Sequence, residues 1–467
     1  MQSFLPDNPG REANAAALAP LTIALFTFGE FLMGVPWAKV SDRIGRKPTL
    51  IIGAVGGGVS ALAFGLSTNL WMALAARIFG GLVNPNVGVI SACVGELIES
   101  KQDQGKAFSV VPFLRGLGGL VGPVIGGYLA DPVISFPSVF HDGSIWQTYP
   151  YLLPNLIVLL FIAISGLLGF FFLEETHPRL QSSHDRGLNI SRWVSNKLRQ
   201  LVGQMNASGY ATILTNDEEM AEDATELENL PEEIGLSSSP SPTVSNTRIP
   251  SPYSSQVILQ ILAVSIFAFH KVSSDVIIPM FLGATTVSPN NSSEETKGNC
   301  LKFEIGFGMN PPRISNVLLS QAVVAIVAQS LIVPRVLTNW GALKSFQWAA
   351  LFFPWKYCLT PFTARLVSPL SLIAIVLDLW ISIILANIGY VASAILLTNT
   401  TPSRQLLATV NGAATSLSCL ARSIGAATSG YIFRQGLQDG YIGLPFWILG
   451  SVAAAGTALS WFLRDEP

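Results

Sequence analysis

Charged residues are scarce in this sequence. Of its 467 residues only 12% are charged, 50% are hydrophobic and the mean hydropathy is +0.48, whereas soluble domains carry about 25% charged residues. This composition argues against a soluble enzyme and predicts a protein that crosses a lipid bilayer several times. The formal net charge is −2, so nothing attracts the chain to nucleic acid in general, and no nucleic-acid partner is expected.

Cysteine is also scarce. The four cysteines, Cys93, Cys300, Cys358 and Cys419, are scattered and form no CxxC or Cys/His cluster, so neither a metal site nor a disulfide framework is predicted. No nucleophile–base pair or metal-ligand spacing supports a membrane enzyme, no cofactor is expected, and no filter-like repeat or charged ring supports a channel. The first residues, Met1–Ala17, lack the basic region and cleavage site of a signal peptide.

Long apolar runs are what the sequence has instead. About 20 helical residues, at 1.5 Å each, cross the ~30 Å hydrocarbon core of a bilayer, and about eleven runs are long enough. The predicted fold class is therefore an all-α membrane protein. The predicted spans are Leu18–Val40, Thr49–Leu66, Leu70–Leu97, Ala107–Ala130, Tyr151–Leu173, Gln256–Gly283, Ile314–Leu337, Leu343–Phe362, Leu370–Leu397, Gln405–Phe433 and Gly443–Leu463.

A polar stretch separates these runs into two groups. It contains an acidic run at 217–233 and a Ser/Pro-rich tract before Tyr253, a composition that cannot bury a core and is expected to be disordered. We therefore predict an N-terminal bundle at 1–173, a linker at 174–253 and a six-helix C-terminal bundle at 254–467. Basic residues cluster in alternate loops, which places the linker in the cytoplasm. The loop with Asn290 and Asn291 is then external, where N-glycosylation can occur.

The loop after the first run has a distinctive order of residues. Residues 38–50 read AKVSDRIGRKPTL; Gly45 permits a tight turn, and Asp42 can face a helix N-terminus or an arginine of the other bundle. The stretch resembles the loop between helices 2 and 3 of the major facilitator superfamily, and departs from it at Ala38, where the family usually has Gly. The positive-inside rule alone requires basic charge and not this order. The matching positions include Asp42, Arg43, Gly45, Arg46 and Lys47.

The resemblance implies two six-helix bundles that rock around a central site, in a protein that is monomeric. The first visible helix matches the second helix of the family, so the first family helix, which lines the cavity, is expected to be missing. Two interpretations follow: the sequence is a truncated record of a transporter, or it is a degenerate carrier.

A second motif lies at Gly118–Gly127, which reads GGLVGPVIGG. It resembles the antiporter motif in helix 5 of the drug:proton antiporter branch. Proline bends the helix, and glycines at GxxxG spacing let another helix approach closely. A plain packing face is the alternative. The motif residues are Gly118, Gly122, Pro123, Gly126 and Gly127.

Ionisable side chains inside the first group of spans are candidates for function, because charge in a membrane is costly. Arg77 matches the helix-4 arginine that the family links to proton transfer; the alternative is an ion pair with Glu30. Glu30 itself suits a proton carrier or a fixed partner of Arg77 or Arg115. Asn84 and Asn86 follow Arg77 on the same run and are candidates for lining a cavity.

The second group of spans carries further candidates. His270, Lys271 and Asp275 share one span; the lysine and the aspartate stand at i,i+4 and can pair, while imidazole titrates near neutral pH. The alternative is a structural ion pair beside a core histidine. Asp378 and Asn387 belong to the span that matches helix 10 of the family.

The stretch NGAATSLSCLARSIGAATSG contains Asn411 and Arg422. It resembles helix 11 of fungal and plant zinc-induced facilitator-like carriers. The leading hypothesis is a secondary transporter of a small organic solute or drug, driven by proton antiport, in the plasma or vacuolar membrane. The alternative is a truncated sensor or relic that transports nothing.

Overall fold

The structure is a computed structural model that describes residues 18–85, 89–90, 93, 114, 118, 122, 125–141, 143–176, 180, 254–284, 306–401 and 404–464. Its long helices follow the predicted spans. They are α1 (Leu21–Ile44), α2 (Arg46–Gly65), α3 (Leu70–Leu82), α4 (Leu152–Phe172), α5 (Ser255–Gly283), α6 (Pro311–Val327), α7 (Val333–Leu359), α8 (Leu370–Thr400), α9 (Arg404–Asp439) and α10 (Leu444–Ser460). Two short helices, Pro132–Ser135 and Ile145–Thr148, precede α4.

Six helical segments in the described part of the chain are long and apolar enough to cross a membrane. One of them, Pro311–Arg365, has 55 residues, which is far more than one crossing needs. It includes a π-helix at Ala328–Ile332 and a 3₁₀ helix at Thr360–Arg365. It turns at Gly341, whose φ of 76° interrupts the helix, so its length fits the two predicted spans Ile314–Leu337 and Leu343–Phe362.

Several predictions fall outside the described residues. Most of the predicted linker 174–253 does so, as do much of the span Ala107–Ala130 and the C-terminal part of the span Leu70–Leu97. The residues concerned among the candidates are Asn86, Arg115, Pro123, Asn290 and Asn291.

The two halves repeat one hairpin turn. Gly45 between α1 and α2 has φ 104° and ψ 163°, and Gly341 has φ 76° and ψ 166°, a region that almost only glycine adopts. In both turns the hydroxyl four residues later donates to the glycine carbonyl, from Thr49 at 2.7 Å and from Ser345 at 2.6 Å. The second half therefore keeps the turn, although it lacks the charged sequence around Gly45.

The main hydrophobic core lies in the C-terminal half. Its largest fully buried side chains are aromatic, and they include Phe281, Phe346, Phe353, Tyr357 and Phe446. Helix α5 lies at the centre of this core. About two thirds of the residues in its most apolar 18-residue stretch are buried, whereas the corresponding stretch of α4 has no buried residue. All the described helices belong to one compact unit, in which α1 of the first half packs against α9 of the second.

Candidate functional site

Charged side chains of the turn between α1 and α2 pair with one another. Asp42 pairs with Arg46, at 2.7 Å, and Arg46 also donates to the hydroxyl of Ser41 at 2.9 Å. Arg43 is exposed. Lys47 is buried, with Nζ 5.8 Å from the centre of the Phe170 ring. Asp42 thus faces Arg46, the first residue of α2, so it lies beside a helix N-terminus as one alternative predicted, and its partner is an arginine of its own hairpin and not of the other bundle.

A glutamate that the sequence analysis missed caps the first turn of α2. The carboxylate of Glu175, just beyond α4, accepts hydrogen bonds from the backbone N–H of Arg46 at 2.8 Å and of Lys47 at 3.2 Å. An anion is favoured there because the first N–H groups of a helix have no partner within the helix. The carboxylate lies so close to Gly45 that a Cβ at that position would contact Oε2. Glu175 therefore fixes the hairpin to the end of α4.

A polar cluster lies where the two halves meet. Glu30 on α1 is buried; Oε1 accepts from Asn84 Nδ2 at 2.8 Å, and Oε2 lies 3.7 Å from Nη2 of Arg422 on α9. The same Nη2 is 2.8 Å from the sulfur of Cys419. The structure therefore brings together three predicted candidates, Glu30, Asn84 and Arg422. Cys419 is an addition, which the scarcity of cysteine did not reveal.

Arg77 stands apart from this cluster. Its guanidinium carbon lies 4.1 Å from the centre of the Phe64 ring, and its Nε has no hydrogen-bond partner among the described residues. The proposed ion pair between Arg77 and Glu30 does not form. Arg77 instead lines a cavity of 630 Å³, together with Asn84 and Asn155. It is the only ionisable side chain among the described residues that line this cavity.

The predicted pair on α5 forms. Lys271 and Asp275 make an ion pair; the lysine is buried, and the aspartate side chain is 53% exposed. The neighbouring His270 is buried, its Nδ1 is 3.0 Å from the hydroxyl of Tyr357, and its ring packs against Phe267 and Phe353. This arrangement favours a hydrogen-bonded core histidine.

A second pair in the C-terminal half joins α7 and α8. Lys356 Nζ lies 3.2 Å from Oδ2 of Asp378, and the Thr360 hydroxyl donates to the same carboxylate. The sequence analysis found Asp378 and missed Lys356, although the rule that selected the other ionisable residues applies to a lysine in the run LFFPWKYCL.

The remaining candidates have simpler surroundings. Asn387 donates from Nδ2 to the carbonyl of Ala325 at 3.0 Å, a contact between α8 and α6. Asn411 is half-buried on α9. In the glycine-rich motif a Cβ on Gly127 would contact Ser315, as close packing requires. At Gly118, Gly122 and Gly126 a Cβ would meet no atom within 4 Å in the described part of the chain.

Each buried carboxylate in these clusters thus has a cation beside it. Separating an ion pair held inside a membrane protein is costly, so these paired side chains are candidate functional positions. The described helices thus carry ionisable groups both within the C-terminal half and between the two halves.

Comparison with known proteins assigns the family. The family model of the Major Facilitator Superfamily matches residues 9–426. The multidrug transporter mfsB of Aspergillus fumigatus, a major facilitator superfamily protein, is 34% identical over 97% of this chain and 77% of its own length. The protein ZINC INDUCED FACILITATOR-LIKE 1 of Arabidopsis thaliana is 37% identical over 32% of each chain.

Solved structures agree on the fold. The human organic anion transporter MFSD10 superposes with a TM-score of 0.61 over 98% of this chain and 86% of its own, at 17% identity. The xylose transporter XylE of E. coli, in a partially occluded inward open conformation, gives a TM-score of 0.57 over 99% and 92% of the two chains, at 14% identity. The chain is an integral, multi-pass membrane transporter, and it belongs to the Major Facilitator Superfamily.

Proposed function

We propose that this chain is a secondary active transporter that exports a small organic solute or drug in exchange for protons, by alternating access. The observation on which the proposal rests is the pairing of membrane carboxylates with cations: Glu30 with Arg422, Asp275 with Lys271 and Asp378 with Lys356. A proton that neutralises one carboxylate changes the balance between conformations in which the pair is closed or open.

The substrate class is suggested by the names of relatives. Besides the multidrug transporter of Aspergillus fumigatus, a tetracycline resistance protein of Pasteurella multocida is 27% identical over 25% of this chain. A drug-like organic molecule is therefore the proposed cargo. The proton gradient is the proposed energy source, without a cofactor, in a monomer that resides in the plasma or vacuolar membrane.

The test is a flux assay on the purified full chain in liposomes. Tetracycline uptake is measured with and without an imposed pH gradient, for the unaltered chain and for Asp275→Asn. We expect gradient-driven uptake to be lost in Asp275→Asn while the amount of folded protein stays unchanged, because the amide cannot carry a proton or hold Lys271 as an ion pair.

The matched control is Asp439→Asn, which removes a carboxylate from an exposed position at the end of α9. It should keep the flux of the unaltered chain. Unaltered gradient-driven flux in Asp275→Asn would refute the role of that residue. Uptake that ignores the gradient in every variant would refute proton exchange.

A further inference from the structure

The hairpin turn at Gly341 carries basic side chains without acidic partners. Arg335 precedes Gly341 by about 9 Å of helix and Lys344 follows it by about 4.5 Å, and both side chains are exposed. The Arg335 guanidinium donates to the carbonyl of Leu331 at 2.9 Å. Within the described part of the chain neither cation forms an ion pair.

The matching turn at Gly45 has carboxylates of its own, in Asp42 and Glu175. The chain around Gly341 has none nearby in sequence, because no Asp or Glu occurs at positions 305–377. The turn at Gly341 therefore presents positive charge to its surroundings. The charge that complements it is an anion from outside the hairpin.

This turn lies at a surface of the membrane, since it joins two limbs of a 55-residue apolar segment whose length fits two crossings. Gln347 Nε2 donates to the carbonyl of Ser460 at 3.2 Å, which puts the turn at the same end as the last turn of α10. A short loop with basic and no acidic side chains predicts the cytoplasmic surface. The cytoplasmic leaflet is the one that carries anionic phospholipids.

An exposed aromatic stripe runs from Lys344 into the membrane. Trp348, Phe352 and Trp355 follow at about one-turn intervals on one face of α7 and are 49%, 50% and 69% exposed. The rings of Trp348 and Phe352 stack, with their centres 6.0 Å apart. The helix rises about 17 Å from Lys344 to Trp355, which is close to half of the ~30 Å hydrocarbon core. The stripe therefore has the length of one leaflet.

Helix α10 forms the other wall of a groove beside this stripe. The Thr457 hydroxyl donates to the carbonyl of Ala350 at 2.8 Å, so the two helices are in contact at this depth. Beside Thr457, the exposed side chains of α10 are small, at Ala454 and Ala458. Large rings on one helix and methyl groups on the next leave a channel along the lipid-facing surface.

We propose that the groove between α7 and α10 binds one anionic phospholipid of the cytoplasmic leaflet. Arg335 and Lys344 hold the headgroup, and one acyl chain lies between the aromatic stripe and Ala454. Each cation near the surface raises the affinity for an anionic lipid by about fivefold. A zwitterionic phospholipid enters the same groove without this preference. The site is independent of the cargo that the chain transports.

The test is photolabelling of the purified full chain in phosphatidylcholine vesicles. The probes are phosphatidylserine and phosphatidylcholine with the same diazirine-bearing acyl chain, at the same low fraction of the lipid. Labelled peptides are located by mass spectrometry. We expect phosphatidylserine to label the aromatic stripe of α7 and the facing side of α10 about 25 times more than phosphatidylcholine does, about fivefold for each cation.

Neutralising the cations tests the headgroup contact. Arg335→Gln and Lys344→Gln should each lower labelling by phosphatidylserine about fivefold, and together they should remove the preference. Labelling by phosphatidylcholine should stay unchanged, which reports that the variants are folded. Exchange of the two cations, Arg335→Lys with Lys344→Arg, should keep the preference.

The matched control is Arg313→Gln, because Arg313 is an exposed arginine at the other end of α6. It lies a membrane thickness away, well beyond the ~10 Å over which exposed charges interact in salt, so the preference should not change.

The acyl chain is tested by filling the groove. Gly450 lies against the carbonyl of Pro354 on α7; around α10, Ala454 is turned about 40° from Gly450, and Ala455 about 140°. Ala454→Trp should therefore lower labelling of this groove by both probes. Ala455→Trp, an equal change on the far side of the exposed face, should leave labelling as it is.

Equal labelling by the two lipids would overturn the proposal, as would full preference in the variant without both cations or labelling mainly outside the groove. A preference that an excess of inorganic phosphate abolishes would assign the cations to a free anion. A preference that appears only after the carboxylates of the run at 217–233 are replaced by amides would assign them to the chain's own acidic run. Either result would overturn the lipid site.

Discussion

The ammonium group of Lys356 on α7 lies 3.2 Å from a carboxylate oxygen of Asp378 on α8, and the side chains are only 6% and 11% exposed. Removal of one partner leaves a buried charge alone, so we expect Asp378→Asn or Lys356→Met to destabilise the protein by about 3–5 kcal/mol. The combined variant Lys356→Met with Asp378→Leu should be more stable than either single variant. Thermal unfolding of the purified protein measures all three.

Additive losses in the combined variant would contradict this expectation, because they would show that the two side chains do not depend on one another. Asp439→Asn again serves as the control, since an exposed carboxylate should change stability by less than about 0.5 kcal/mol. A loss of flux in the combined variant, with stability retained, would separate a role in transport from a role in folding.

Hydropathy predicted most of the described helices, because a membrane span needs a long apolar run whatever its partners are. The helices α1, α2, α4, α5 and α8 fall where the runs predicted them. The pairing at i,i+4 of Lys271 and Asp275 was also predictable, since it depends on helix geometry alone.

Contacts between distant helices were less predictable. One of the two interpretations of Glu30 made it a fixed partner of Arg77 or Arg115. The structure places it against Arg422, 392 positions along the chain, and not against Arg77, while Arg115 lies outside the described residues. No spacing rule reaches across that distance. The sequence likewise gave no sign that Glu175 caps α2, because a cap from a remote segment has no local signature, unlike one at the helix's own N-cap position.

The turn at Gly45 provides a test of two separate effects. Gly45→Ala should destabilise the protein both through its backbone angles, φ 104° and ψ 163°, and through contact of the new Cβ with Glu175. Gly341→Ala shares the backbone problem but has open space around it. We expect the unfavourable backbone angles alone to lower the free energy of unfolding by about 1–3 kcal/mol. The loss measured by thermal unfolding should be larger for Gly45→Ala than for Gly341→Ala.

The additional loss of stability in Gly45→Ala should disappear when the Glu175 carboxylate is removed. In a Glu175→Ala background, Gly45→Ala should cost about as much as Gly341→Ala, although Glu175→Ala alone costs about 1 kcal/mol by uncapping α2. If the excess persists without Glu175, the crowding at Gly45 has another source.

The bond between Tyr357 and His270 yields a further prediction. Tyr357 is fully buried, and its hydroxyl lies 3.0 Å from His270 Nδ1 and donates to the His270 carbonyl at 3.2 Å. Tyr357→Phe removes both contacts and takes this partner from the buried His270 Nδ1, so it should cost about 1–3 kcal/mol, measured by thermal unfolding.

The control is Tyr431→Phe, because Tyr431 is exposed and its hydroxyl accepts a bond from the side chain of Gln435, one turn along the same helix. Its removal should be nearly neutral. A transport rate that falls in Tyr357→Phe at temperatures where the protein stays folded would instead favour a direct role of His270 in transport.

Gln329 in the π-helix at Ala328–Ile332 is a buried side chain whose replacement should stabilise the protein, whereas replacing most buried side chains destabilises it. It is 7% exposed, and among the residues that the structure describes neither its amide nitrogen nor its amide oxygen has a hydrogen-bond partner. A buried amide without partners costs about 1–3 kcal/mol, so the nearly isosteric Gln329→Met should stabilise the protein by about 1–2 kcal/mol. Thermal unfolding in detergent measures the change.

The matched control is Gln260→Met on α5. Gln260 is 1% exposed, and its Nε2 donates to the carbonyl of Ser393 at 3.4 Å, so this substitution should destabilise the protein. Both glutamines are buried, but within the described part of the chain only the Gln260 amide has a hydrogen bond. Whether the substitution raises or lowers the free energy of unfolding therefore shows whether the amide was hydrogen-bonded. If Gln329→Met also destabilises, the Gln329 amide has a partner, such as an ordered water that fills the wider π-helical turn. A gain in stability would identify the π-turn as a place where this chain keeps an unsatisfied polar group inside its C-terminal half.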